Sequence, residues 1–310
     1  MSSKKDKSHN LNKYFMSIAM NLAAERNGLT GLNPSVGCLI VKNNKILSFG
    51  QTGFNGRPHA EFEAIKKCNK NQLKDSSIYI TMEPCTHYGK TPPCTNLIIK
   101  SKIKKVIYSI NDTDKRTANK AYSLLKLKKI IVLKGLLKSE AKKIYKNYFR
   151  HKNTKKPFIA AKIACSNDYY ITSKNKFITN QHSRKVSHLL RYNFDSILIS
   201  SKTANSDNSK LSCRISGLEN YSPRRLIIDK DLKINKNSPI INDENKSNTI
   251  IFHSIKDKKK LSKFRSKGIK LNYMELDAYN RIDLKSVFSK VYNMGIGSII
   301  IEGGKTLTKS

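Results

Sequence analysis

A histidine, a glutamate and two cysteines in the first third of the chain have the types and spacing of a metal-assisted hydrolase. Residues 58–61 read Pro-His-Ala-Glu, and residues 83–94 read Glu-Pro-Cys-Thr-His-Tyr-Gly-Lys-Thr-Pro-Pro-Cys. His59, Cys85 and Cys94 form a sound ligand set for zinc, borderline-soft, which leaves the fourth tetrahedral position to water. Water on zinc has a pKa of about 7, so hydroxide is available at neutral pH. Glu61 stands two residues after His59 and outside the ligand set, so it can carry a proton from that water to a leaving amine. Cys85 follows a strand and a proline, where a helix N-terminus would favour thiolate. Cys38, Cys68, Cys165 and Cys213 have no such company and read as core or inert thiols.

The elements that must hold these residues follow from the hydrophobic pattern. Short β-branched runs alternate with helical patterns from end to end, which predicts an α/β architecture. Tyr14, Ile18 and Leu22 recur every four positions and predict an amphipathic first helix packed on a core. Val36–Val41 and Lys45–Gly50 flank Asn43–Asn44 as a hairpin. A helix from about His59 carries His59 and Glu61, a strand at Ser77–Met82 leads to Cys85, and a helix follows Cys94. Strand Lys105–Ile110, a helix near Ala118–Lys126, strand Ile130–Leu133 and a helix near Lys138–Tyr148 complete a first domain over residues 1–150. The polar segment His151–Lys156 reads as a linker. A second domain, 157–310, has strands at Phe158–Ala164, Ser196–Ser200, Arg225–Asp229, Thr249–His253, Ile269–Leu276 and Gly297–Glu302. Its helices fall near Gln181–Tyr192, Ile255–Phe264 and Asp283–Asn293, and the Asn/Lys-rich stretch Lys230–Ser247 reads as a mobile surface loop.

His59-Ala60-Glu61 with Pro84-Cys85 resembles the cytidine-deaminase-like superfamily of zinc deaminases. Nucleoside and nucleic-acid deaminases usually have two residues between the cysteines, whereas here there are eight. That spacing, with Thr86-His87-Tyr88-Gly89-Lys90-Thr91-Pro92-Pro93 inside it and Asn33-Pro34-Ser35-Val36-Gly37 upstream, resembles the bifunctional deaminase–reductases of riboflavin biosynthesis. The resemblance implies a three-layer αβα domain that binds one zinc. Its substrate would be 2,5-diamino-6-ribosylamino-4(3H)-pyrimidinone 5′-phosphate: hydroxide adds at C2, and Glu61 protonates the departing amine. Asn33, His87 and Lys90 would hold that substrate, Asn33 offering donor and acceptor to the pyrimidine edge and the other two meeting the phosphate.

Residues 157–310 resemble the family's reductase half, a dihydrofolate-reductase-like α/β fold that uses NADPH. The matching pieces are Lys162-Ile163-Ala164-Cys165-Ser166 with Asp168, Phe177-Ile178-Thr179, Leu189-Leu190-Arg191, Thr203, Asp207, Leu211-Ser212-Cys213-Arg214 and Ile301-Glu302-Gly303-Gly304. By that likeness Ala164, Phe177, Thr203, Asp207, Gly303 and Gly304 bind NADPH, and Lys162, Asn175, Arg191, Leu211, Arg214 and Glu302 bind the ribosylamino substrate. Hydride would pass to C1′ of the ring-opened sugar.

Three departures from the family pattern stand out. Asn167 and Tyr169 replace a Leu and a Gly, and Tyr169 raises a backbone question if a positive φ is needed there. The loop Ser173-Lys174-Asn175-Lys176-Phe177 is shorter than usual, and the sequence stops six residues past Gly304, so the second domain is expected to be C-terminally short. An apolar strand at Gly297–Glu302 calls for cover on both faces, and a short domain would leave an exposed edge. A deaminase with a truncated or degenerate reductase half is therefore a second reading, and a nucleic-acid deaminase or RNA-binding protein is a third.

Composition bears on the third. The 60 Lys+Arg against 22 Asp+Glu give a net charge of +38, which by itself suggests a polyanion partner. The excess is divided almost evenly, +20 over residues 1–150 and +18 over 151–310, and only 11 of the basic residues are Arg. Phosphate-reading surfaces lean more on Arg, so the charge reads as a lysine-rich background that speeds capture of small phosphorylated substrates rather than a nucleic-acid footprint. No apolar run approaches the roughly 18–20 residues that span a bilayer. Six cysteines in 310 residues are too sparse for a disulfide scaffold, so the expected compartment is the cytoplasm. Relatives of this family commonly self-associate, which makes a homo-oligomer the expectation by resemblance.

Overall fold

The computed structural model describes residues 4–171, 178–304 and 307. The chain divides between Thr154 and Lys155 into two units. In the first, strands β1 (Gly37–Lys42), β2 (Lys45–Gln51), β3 (Ser77–Met82), β4 (Lys105–Ile110) and β5 (Ile131–Lys134) form one sheet in the order β2-β1-β3-β4-β5. β1 runs antiparallel to both β2 and β3, and β3, β4 and β5 run parallel. The β1–β2 turn consists of Asn43 and Asn44 at φ 50° and 59°, left-handed values that asparagine tolerates and a two-residue hairpin requires. The helices Lys4–Glu25 and Lys138–Ile144 pack together, and Ala60–Lys66, Cys94–Lys100 and Lys120–Leu127 form a second group, giving three αβα layers.

The first helix buries a different stripe from the one its four-residue repeat predicts. Phe15, Met16, Ala19, Met20 and Ala23 face the core, while Tyr14 is 59% exposed and Ile18 and Leu22 sit at the margin. Small residues explain the choice, because the helix lies so close to β1 that a Cβ on Gly37 would stand 1.9 Å from the carbonyl oxygen of Ala19. Gly37→Val is therefore expected to destabilise the first unit by about 3 kcal/mol, the upper end for overpacking, as read by chemical denaturation.

The segment read as a linker is largely helix. Lys146–Thr154 continues through His151, which is buried, stacks edge-on against Tyr148 and hydrogen-bonds the Leu32 carbonyl at 3.3 Å.

In the second unit, β6 (Phe158–Ala161), β7 (Ser196–Ser200), β8 (Arg224–Ile228), β9 (Thr249–His253), β10 (Lys270–Tyr273) and β11 (Ser298–Ile301) form a wholly parallel sheet in the order β10-β9-β8-β7-β11-β6. Such a sheet needs cover on both sides, and two apolar clusters supply it. Ile300 joins the cluster with Leu232, Ile240 and Phe264, and Ile299 joins the one with Met274, Val287 and Val291. β11 is thus an interior strand between β7 and β6, and the edge falls on β6, where Ile159 is 37% exposed.

Lys230–Ser247, which its composition marks as a surface loop, is anchored. Leu232, Ile234, Ile240 and Ile241 are buried. The Asp229 carboxylate accepts from the amides of Lys233 and Ile234 at 2.9 and 2.8 Å. The Asp243 carboxylate accepts from the two terminal guanidinium nitrogens of Arg225, at 2.8 and 2.6 Å, and Arg225 is only 1% exposed.

Candidate active sites

His59 caps the helix Ala60–Lys66 in extended conformation (φ −72°, ψ 150°), and Glu61 lies in its first turn, 4% exposed. β3 delivers Cys85 through Glu83-Pro84, and Cys94 opens the helix Cys94–Lys100. His59 Nδ1 stands 3.4 Å from Cys94 Sγ and 3.7 Å from Cys85 Sγ, and all three ligand atoms lie within 4.8 Å of one another. A tetrahedral zinc at ordinary bond lengths places nitrogen and sulfur about 3.6 Å apart, so the three fit the ion as they stand. The helix N-terminus at this site is that of Cys94, not of Cys85: the Cys94 amide donates to Cys85 Sγ at 3.2 Å.

The electrostatics follow from burial among these groups. Burial pushes the Glu61 carboxyl up to about 7, with His59 pulling it back. The hydrogen bond from Cys94 draws the Cys85 thiol down to about 4 against the effect of burial, and the same bond raises Cys94. A zinc ion held here would take both cysteines as thiolates.

The other first-half residues expected at the site are placed as follows. The Asn33 amide donates to the Gly56 carbonyl at 3.2 Å; Gly56 has φ 84°, and a Cβ there would overlap the Asn33 side chain. His87 Nδ1 bonds Thr117 Oγ1 at 3.0 Å, and Lys90 is exposed on the same loop. Glu83, to which the sequence reading gives no role, is buried and accepts from the amides of Asp112, Asn119 and Ala121 at 3.2, 3.0 and 3.0 Å. It fixes the loop that presents Thr117 to His87. The signal is present, a carboxylate directly after an apolar strand, but its partners lie 29 to 38 residues on. Arg57 Nη1 donates to Thr91 Oγ1 at 2.5 Å, a contact across 34 residues that no local pattern reveals.

In the second unit the C-terminal ends of β6, β7 and β11 converge, the place where open parallel sheets bind ligands. Arg191 forks onto both oxygens of Glu302 at 2.9 Å each, and Lys162 Nζ lies 4.0 Å from the same carboxylate. Burial raises Glu302, and the Arg191 bonds and charge outweigh it, so the carboxyl lies below its ordinary value. Arg191 also donates to the Ser212 carbonyl at 3.2 Å, which holds the segment carrying buried Leu211 and exposed Arg214. His188 bonds that carbonyl at 3.1 Å, and burial followed by the charges of Arg191 and Arg214 lowers its pKa. Its place one turn before Arg191 was the available sequence signal.

A Cβ on Gly304 would sit 3.3 Å from Thr203 Oγ1, so these two adjoin where β11 and β7 end. The backbone there can approach a dinucleotide closely, which suits NADPH. Ala164 is half-buried beyond β6, and Asp207 is exposed with its carboxylate taking the Ser206 hydroxyl at 2.7 Å. Asn175 and Phe177 lie outside the described residues. Tyr169 does adopt φ 63°, the left-handed conformation its glycine-like position demands, and is 85% exposed. Such a residue carries a strain of about 1–2 kcal/mol.

Comparison with known proteins agrees with both halves. Residues 9–110 match the cytidine and deoxycytidylate deaminase zinc-binding region, and residues 157–310 match the RibD C-terminal domain. The chain is 33% identical over 302 residues to the riboflavin biosynthesis protein RibD of Aquifex aeolicus, covering 96% of this chain and 82% of that protein. The Bacillus amyloliquefaciens protein of the same name is 32% identical, with 96% and 80% covered. Among solved structures, Acinetobacter baumannii RibD is similar with a TM-score of 0.82 at 25% identity, over 97% of this chain and 82% of that one. A Thermotoga maritima structure, described as a diaminohydroxyphosphoribosylaminopyrimidine deaminase/5-amino-6-(5-phosphoribosylamino)uracil reductase, gives 0.78 at 29% identity, over 97% and 83%. Carrying a zinc-deaminase unit and a RibD C-terminal unit in one polypeptide, this chain belongs to the RibD family of riboflavin biosynthesis proteins.

Proposed function

We propose that His59, Cys85, Cys94 and Glu61 carry the deaminase step of this bifunctional riboflavin-pathway enzyme, and that the Lys162–Arg191–Glu302 cluster holds the substrate of its reductase step. The substrate of the first step is 2,5-diamino-6-ribosylamino-4(3H)-pyrimidinone 5′-phosphate, and the product of the second is 5-amino-6-(5-phosphoribitylamino)uracil. Zinc, when bound, supplies a Lewis acid that makes water nucleophilic at neutral pH. The chain's own residues do the rest. Glu61, buried beside the ligand trio, takes the proton of the attacking water and returns it to the C2 amine, which leaves as ammonia. Asn33 orients the pyrimidine edge, and His87 and Lys90 receive the phosphate. The observation that carries this reading is the trio of ligand atoms within 4.8 Å, with a buried carboxylate two residues from one of them.

In the second unit, NADPH supplies hydride to C1′ of the opened sugar. Thr203, Gly303 and Gly304 adjoin its path at the strand ends, with Ala164, Phe177 and Asp207 as further contacts. Lys162, Asn175, Arg191, Leu211, Arg214 and Glu302 hold the ribosylamino substrate, with Arg191 and Arg214 at its phosphate or its sugar. The experiment separates the two. Chelating the zinc is expected to abolish ammonia release, while NADPH oxidation with the deaminated pyrimidine continues within about twofold. Loss of both together would contradict the assignment.

Among the described residues no helix is long and apolar enough to cross a membrane. We extend the proposal to a cytoplasmic location, which the unpaired cysteines support, and to self-association. Supporting the latter, the helix Gln181–Tyr192 buries none of its residues and exposes Val186 and Leu189 by 46% and 44%. Light scattering of the full chain reads it directly.

A further inference from the structure

We propose that Arg57 is a phosphate-binding residue of the deaminase site, gripping the substrate's phosphate monoester beside His87 and Lys90. The inference rests on the reading that this unit deaminates a phosphorylated pyrimidine. Arg57 stands two residues before His59, and its backbone is pinned: a Cβ on Gly53 would lie 2.1 Å from the Arg57 carbonyl oxygen, and the Gly53 amide donates to Pro58 at 2.9 Å. From that fixed base the side chain crosses to the strap between Cys85 and Cys94, where Nη1 donates to Thr91 Oγ1 at 2.5 Å.

The guanidinium keeps Nη2 and Nε for a ligand. A Cβ built on Gly89 would sit 3.6 Å from Arg57 Nη2 and 3.9 Å from His87 Nε2. Both nitrogens therefore face the same point, and the missing side chain of Gly89 leaves the space between them open. Lys90 follows directly on the strap. Thr91, accepting from Arg57, retains its own hydroxyl proton for donation. His87, its Nδ1 engaged by Thr117, presents Nε2 to the opening.

Charge points the same way. Arg116, Arg191, Arg225 and Arg281 each have a carboxylate within 4.0 Å, whereas Arg57 has none among the described residues. An arginine tied to a threonine, next to an imidazole and a lysine and without a counter-ion, suits a tetrahedral dianion, which a planar guanidinium can bind through two donors.

The test uses the zinc-loaded full chain with the pyrimidine 5′-phosphate and with its dephosphorylated counterpart. Arg57→Ala is expected to lower kcat/KM for the phosphate by about 10- to 100-fold, mainly through KM, the range for losing hydrogen bonds to a charged group. The dephosphorylated compound should change by less than about twofold, and Arg57→Lys should recover part of the loss. Inorganic phosphate should inhibit the unmodified chain competitively and inhibit Arg57→Ala more weakly. Equal losses on both compounds, or no loss on either, would overturn the proposal. Should Arg57→Ala fail to fold or to hold zinc, Arg57→Gln is read in the same assay against the same criteria. An unmodified chain that releases no ammonia refutes the functional reading, whereas an active chain whose preference for the phosphate survives loss of Arg57 refutes this inference alone.

Discussion

Replacing Glu61 by Gln is expected to lower ammonia release by about 10²–10⁴-fold, the usual contribution of a positioned general acid–base, while the protein keeps its zinc. The amide matches the carboxylate in size and cannot take a proton from water. His59, Cys85 and Cys94 are untouched, so metal content separates loss of proton transfer from loss of the ion. The carboxyl must be ionised to act. Burial places it near 7 in the metal-free site, and a bound cation shifts it lower. In the unmodified chain kcat/KM should therefore fall as pH drops through a value at or below about 7, and the Gln variant should lose that acid limb. A Gln variant with undiminished turnover would remove Glu61 from the mechanism.

The second large effect concerns stability and lies in the other unit. Asp243→Asn is expected to cost about 3–5 kcal/mol, because it leaves the Arg225 guanidinium, 1% exposed, without its counter-charge. Arg225→Met removes the buried charge itself and should cost less, since a paired ion replaced by an apolar chain of similar size loses little. Denaturant unfolding read by NADPH oxidation gives the size of each effect. Ammonia release should survive at denaturant concentrations where the Asn variant has lost reduction, since the pair lies wholly within residues 155–310.

That ion pair also shows where the sequence stops being legible. The clustering of His59, Cys85 and Cys94 with Glu61 buried near them is legible directly, because each motif is short and local spacing brings the residues together. β3, β7 and β9 coincide with their apolar runs for the same reason. Long-range packing is another matter. Leu232, Ile234, Ile240 and Ile241 lie among Asn and Lys with no regular period, so nothing marks them as core. They are held by Asp229 and by Arg225–Asp243, contacts set by the fold rather than by neighbours in sequence. The first helix fails in a subtler way. Its larger residues at 14, 18 and 22 suggest a stripe, but close approach to Gly37 selects the alanine face. The contacts of Glu83 and Arg57 are not legible locally, because their partners stand 29 to 38 and 34 residues away.

The central claim is that one chain performs two successive reactions at separate sites. Its most direct test incubates the zinc-loaded chain with the diaminopyrimidine phosphate and NADPH and follows ammonia and NADPH together. The account predicts that ammonia appears first and that NADPH is then consumed to the same final amount. Glu61→Gln should stop both, and adding the deaminated pyrimidine should restore NADPH consumption alone. Ammonia release with no NADPH consumption, even when the deaminated pyrimidine is supplied, would contradict it.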